Sequence, residues 1–140
     1  MTDDTHRNVT LERIETGVYL ARNPRGGELR FGSMAGDAFT PVELLLASIA
    51  ACSAVDVDVV CGRRAEPTEF TMRVDAEKIR DEGGNRLRDI EVTFRVRFPE
   101  GEAGDAARAI LPRAVATSHD RTCTVSRTLE AGTPVAVRIE

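Results

Sequence analysis

Two thiols stand where chemistry is worth looking for. Cys52 lies inside AACSAVDVDV, residues 50–59, the most apolar stretch of the chain, and Cys123 opens CTVSRTLEAG, residues 123–132. A cysteine among alanines and β-branched residues is either a small hydrophobe or a reactive sulfur. On a helix, Leu45, Ser48, Ile49, Asp56 and Val59 share the face of Cys52. An apolar stripe and a carboxylate four residues on both raise a thiol pKa. The dipole of the helix start, about three turns away, has faded by then. Cys123 has the opposite setting: near the first turn of a helix, backbone N–H groups favour the thiolate, and Arg121 and His119 lie close by in sequence.

The neighbouring groups have plainer explanations. Cys61 comes nine residues after Cys52, on the opposite helix face, where it is expected to fill space. Glu43 stands three residues after Thr40 and fits the third position of a capping box. Asp56 is either hydrogen-bonded structure or part of a pocket. His119, in a polar loop, is expected at the surface. Cys52, Cys123 and a nearby His119 or Asp56 offer a third chemistry, a metal site, but without the short C-x-x-C spacing of structural zinc. No metal and no cofactor are therefore expected.

Composition bounds the partners. The chain has 140 residues, formal net charge −4 and one lysine among nineteen basic residues. No basic cluster tracks one face, which argues against nucleic acid or anionic membrane as partners. The opening MTDDTHRNVT is polar and acidic, unlike a secretory signal. Asp56 and Asp58 interrupt the longest apolar run, so no membrane span is expected. Three cysteines are too few and too scattered for a secreted disulfide framework. The expectation is a cytoplasmic protein with reduced thiols, forming one domain over residues 1–140.

The elements that must position the thiols follow from period and punctuation. Residues 8–22 fit extended structure with a bulge or bend at Gly17, NPRGG is a turn, and ELRFGS is the returning strand. Residues 40–62 predict a helix with Thr40 as N-cap, Pro41 in the first position and Gly62 as the stop. It is apolar on nearly all faces, which predicts a central place. Phe70, Met72, Val74 and Ala76 alternate with polar residues, as do Val92, Phe94, Val96 and Phe98, with a turn at DEGGN: a long antiparallel hairpin. Residues 102–117 predict a second helix that Pro112 should kink or interrupt. A short last helix starts near Asp120 or Thr122, and TPVAVRIE ends the chain as a strand. The class is α+β.

TPVELLLASIAACSAVDV around Cys52, and CTVSRTLEAG around Cys123, resemble the OsmC/Ohr family of osmotically inducible and organic-hydroperoxide-resistance proteins. Element order and the long central hairpin agree over essentially the whole chain. The resemblance implies an OsmC-like fold, with antiparallel sheets around a buried central helix, in an intertwined homodimer with sites at its interface. It implies catalytic roles for Cys52 and Cys123. The first would reduce an organic or fatty hydroperoxide and become a sulfenic acid, the second would close a disulfide, and an external dithiol would reopen it. One departure is plain. Hydroperoxide reductases of the family place Glu directly after the helix proline and pair it with an Arg from the first strand region. Here Val42 follows Pro41, and neither Arg13 nor Arg22 clearly takes the arginine position. Two functions stay open: a two-cysteine thiol peroxidase, and a small-ligand binding or stress-response protein of the same fold without efficient turnover.

Overall fold

The structure, a computed structural model, describes residues 5–140; Asp3 and Asp4 of the acidic opening lie outside the described residues. In chain order come β1 (Thr10–Glu15), β2 (Val18–Arg22), β3 (Glu28–Phe31), α1 (Pro41–Gly62), β4 (Glu69–Asp81), β5 (Gly84–Arg97), α2 (Glu102–Thr117), a π-turn (Ser118–Thr122) and α3 (Thr124–Glu130). The fold is α+β with two antiparallel sheets, ordered β1-β2-β3 and β4-β5. The chain divides into two compact units, one through Leu45 and one from Leu46 to Glu140, with the boundary inside α1.

In the first unit the chain reverses at Gly17, whose φ of +73° suits glycine, and at Asn23, whose side-chain oxygen accepts from the N–H of Arg25 at 3.0 Å and of Gly27 at 2.9 Å. Tyr19 pairs with Phe31 across β2 and β3, their ring centroids 6.0 Å apart. The capping box forms as expected. The Thr40 N–H donates to Glu43 Oε1 at 2.9 Å, and the Glu43 N–H donates to Thr40 Oγ1 at 3.2 Å.

The second unit holds the larger core. Ile49, Ser53, Val57 and Cys61, each four residues on, form the buried stripe of α1. Val57 and Cys61 cluster with Phe98, Ala107 and Ala114, while Phe70, Phe94 and Val96 cover them from the hairpin. The register pairs Phe70 with Val96, Met72 with Phe94 and Val74 with Val92, so the expected alternation delivers one apolar face. A bulge follows between Asp75 and Glu77.

Four expectations change. Helix α2 runs unbroken through Pro112, because Ala107, Ile110, Leu111 and Ala114 pack against the core and hold the turn that proline weakens by about 3 kcal/mol. The last helix starts later, at Thr124, and α2 runs into it through the π-turn. Residues 133–140 form no strand: among the described residues none lies beside them to share backbone hydrogen bonds, and Val135, Val137 and Ile139 are exposed. Finally, α1 is long and apolar enough to cross a membrane by length and composition, Asp56 and Asp58 notwithstanding. One stripe of it packs inward, Val57 and Cys61 clustering with Phe98 beneath Phe70, Phe94 and Val96.

Candidate active site: a thiol pair beside an apolar cavity

Helix α1 carries Cys52 and Ser53 at its middle, and the start of α3 carries Cys123 and Ser126. What brings the two segments together is a local departure from helical geometry. After Thr117 the backbone widens into the π-turn, and the Cys123 N–H donates to the Ser118 carbonyl at 2.7 Å. The wider turn leaves Cys123 in extended conformation as N-cap of α3, its side chain wholly buried. Asp56 fixes the turn to α1: Oδ2 accepts from Ser118 Oγ and from Thr122 Oγ1, each at 2.7 Å. Of the two roles open to it, Asp56 takes hydrogen-bonded structure.

The thiols of Cys52 and Cys123 meet at this junction, near enough to shift each other's ionisation, and all three cysteines are free. Their surroundings differ. The Ser53 hydroxyl donates to Cys123 Sγ at 3.5 Å, and the Cys123 thiol donates to Ser126 Oγ at 3.3 Å. Burial pushes the Cys123 thiol up, but the Ser126 hydroxyl and backbone N–H, the Ser53 hydroxyl and the Cys52 thiol together carry it below the ordinary thiol range. Cys52 is half-buried, and burial pushes its thiol up. The Val125 and Thr124 amides pull it down, while the neighbouring Cys123 adds to the rise. The contrast expected from sequence therefore holds. Its cause at Cys123 is hydroxyl groups more than Arg121 or His119.

An apolar cavity of about 420 Å³ adjoins the pair. Ile49, Phe94, Val115 and Leu129 supply much of its wall, and Ser53 and Ser126 line it on the side of the sulfurs. His119 is exposed, as expected, and also borders this cavity, with Nε2 at 3.5 Å from Glu130 Oε1. Cys61 faces the core of the second unit, where burial raises its thiol. Among the described residues no three His, Cys, Asp or Glu side chains come together as a metal site. Glu43 is engaged in its cap, Arg22 pairs with Glu28 at 2.8 Å and Glu12 at 3.4 Å, and Arg13 donates to Thr16.

Sequence reasoning passed over Ser53 and Ser126. A signal existed for Ser126, because an N-cap residue and the residue three positions on face each other in a capping arrangement. Ser53 carried none, since only the fold shows that α1 turns it toward Cys123 rather than Cys52.

Comparison with known proteins places this arrangement in a family. The OsmC-like protein family matches residues 34–138, which include both thiols. An uncharacterized protein of Mycobacterium tuberculosis is 32% identical over 133 residues, covering 92% of this chain and 93% of its own. A hypothetical protein of Aquifex aeolicus superposes with a TM-score of 0.71 at 25% identity, over 91% of this chain and 89% of that one. The fold is shared with an organic hydroperoxide resistance protein OsmC of Legionella pneumophila, at a TM-score of 0.57 and 15% identity over 91% of each chain. With the family match spanning both cysteine segments and the fold matching throughout, the chain belongs to the OsmC-like protein family.

Proposed function

We propose that this OsmC-like redox protein is a thiol-dependent peroxidase that reduces organic or fatty hydroperoxides with Cys52 and Cys123. The observation that carries the reading is the meeting of two free thiols, far apart in sequence, beside an apolar cavity. Peroxide oxidises one sulfur to a sulfenic acid, the other closes a disulfide, and an external dithiol restores both. The apolar wall suits an alkyl or aryl group better than hydrogen peroxide alone. Such a cycle needs a reducing compartment, consistent with the cytoplasm. A homodimer accounts for the exposed apolar residues: Val55 and Val59 on α1, and Val135, Val137 and Ile139 in an alternating row with no strand partner among the described residues.

The test is consumption of cumene hydroperoxide by reduced protein with dithiothreitol or dihydrolipoamide. Wild type must exceed the Cys52→Ser/Cys123→Ser double variant by at least about a hundredfold, of the order expected for an activated nucleophile. Equal rates end the reading. The competing function, a binding protein without turnover, draws support from the raised Cys52 thiol and from Glu43, Arg13 and Arg22 being engaged locally. It requires tight, saturable binding of an apolar ligand with no oxidation of either thiol.

A further inference from the structure

Two hydroxyls from different elements converge on the Cys123 sulfur. Ser53 Oγ of α1 donates to it at 3.5 Å, and the thiol donates to Ser126 Oγ of α3 at 3.3 Å. We propose that Ser53 and Ser126 are positioning residues for the disulfide-closing step, holding Cys123 where it attacks Cys52 once Cys52 has taken the peroxide oxygen. This rests on the peroxidase reading above and adds the groups that set the speed of its second half.

Accessibility separates the two sulfurs. Cys52 is half-buried whereas Cys123 is wholly buried, so the sulfur a peroxide reaches is Cys52. A buried resolving thiol has to be in place beforehand, because a sulfenic acid left waiting is open to irreversible oxidation by a second peroxide. The place of a cysteine sulfur depends on one side-chain torsion, so two contacts suffice to fix it. One contact comes from Ser53, the residue next to Cys52, and ties the sulfur to the helix that carries its target. The other comes from the first turn of α3, three residues beyond Cys123. Both serines also line the cavity of about 420 Å³, so they cover the sulfur they hold. Hydroxyls rotate besides. Ser126 accepts from the thiol and can turn to donate once Cys123 loses its proton, after which two charge-assisted bonds favour the attacking thiolate.

The chemistry balances. The Cys52 sulfur attacks the terminal oxygen of ROOH, an S–O bond forms and the O–O bond breaks. The departing alkoxide takes up the proton that Cys52 released and leaves as ROH. The Cys123 sulfur, held by the two serines, then attacks the sulfenic sulfur of Cys52. The S–S bond forms, the S–O bond breaks, and the hydroxyl leaves with the Cys123 proton as one water. Two thiol sulfurs are oxidised by two electrons in all, and the peroxide is reduced by two. Neither serine changes its own bonding beyond the turn of a hydroxyl.

The experiment mixes reduced wild type, Ser53→Ala, Ser126→Ala and Ser126→Thr with one equivalent of cumene hydroperoxide and follows two rates. Peroxide loss reports the first step. Peptide mass spectrometry of acid-quenched, alkylated samples reports disulfide closure and, with dimedone present, sulfenic acid on Cys52. Each alanine removes one bond to the attacking thiolate, lowering its population about tenfold while its intrinsic nucleophilicity rises about threefold. The ratio of closure to peroxide loss should therefore fall at least about threefold, with dimedone adduct building up on Cys52. Ser126→Thr, which keeps the hydroxyl, should close as wild type does. A wild-type ratio in either alanine variant, whether both steps keep their speed or slow together, overturns the proposal. A second arm replaces the peroxide with diamide, whose adduct on Cys52 is displaced by Cys123 to give the same disulfide. Suppose wild type closes faster than both alanine variants with diamide, yet consumes no more peroxide than Cys52→Ser. That result refutes the peroxidase reading and leaves the placement of Cys123 by the serines standing.

Discussion

Ser118 donates its hydroxyl to Asp56 Oδ2 at 2.7 Å across 62 residues of sequence, joining the middle of α1 to the π-turn that carries Cys123. Ser118 is almost wholly buried, so the bond is shielded from water and its loss leaves a hydroxyl unsatisfied. Thr122 closes a second bond onto the same oxygen.

Asp56→Ala should therefore destabilise the protein by about 2–3 kcal/mol, the usual range for a charged acceptor with a buried donor. Asp56→Asn retains one acceptor oxygen and should lose about half as much. Urea denaturation of the reduced protein provides the comparison. Equal stability for both variants and wild type would show that the π-turn stands without this anchor.

Cys61 is predicted to matter for packing alone. Its side chain is buried with Val57 and Phe98 in the core of the second unit. Cys61→Ala leaves a small cavity and should cost about 1–2 kcal/mol. Cys61→Ser places an unpartnered hydroxyl there and should cost more, about 1–3 kcal/mol beyond that. Peroxide consumption per folded molecule should be unchanged in both, which a stopped assay at matched folded concentration will show.

Gly104 sits where α2 passes the loop before it. A Cβ added there would collide with the Pro99 carbonyl oxygen, a backbone atom that cannot swing away. Gly104→Ala should lower stability by at least about 2–3 kcal/mol, at the upper end of overpacking costs. Thermal unfolding by circular dichroism would detect it. A variant as stable as wild type would mean that this approach relaxes easily.

The thiols set opposite pH dependences. The Cys52 and Cys61 thiols are raised in the folded state by burial, so their contribution is complete below the ordinary thiol value of 9.0 and is lost as pH climbs through their higher folded values. Cys123 is lowered, so its contribution is present above that value and is lost as pH falls through its own lower one. Reduced protein should thus lose stability at alkaline pH, and Cys61→Ala should flatten the decline. Denaturation midpoints between pH 8 and pH 11, at the edges of the thiol range, would expose a profile of the wrong slope.

The last eight residues bear on assembly. Val135→Glu/Val137→Glu replaces two side chains that are 87% and 86% exposed in the single chain. If these residues pair with a second copy, wild type should sediment as a dimer and the double variant as a monomer. If they face water, assembly will be unaffected.

Much of this protein was legible in its residues. Thr40, Pro41 and Glu43 announced the start of α1, and Gly62 its end, because capping depends on residues a few positions apart. Strict alternation from Phe70 and from Val92 specified the hairpin, since a one-residue slip would turn every apolar side chain outward. The contrast between Cys52 and Cys123 was also visible, as it follows from position along a helix. Other features depended on groups distant in sequence. Pro112 alone argues for a broken helix, and only the packing of Ile110, Leu111 and Ala114 in the core overrides it. The π-turn exists because Asp56 reaches Ser118 and Thr122 from another element. That the Ser53 hydroxyl faces Cys123 rather than its neighbour Cys52 was decided by tertiary structure, because short-range spacing sets where a side chain leaves its helix but not which atoms arrive opposite it.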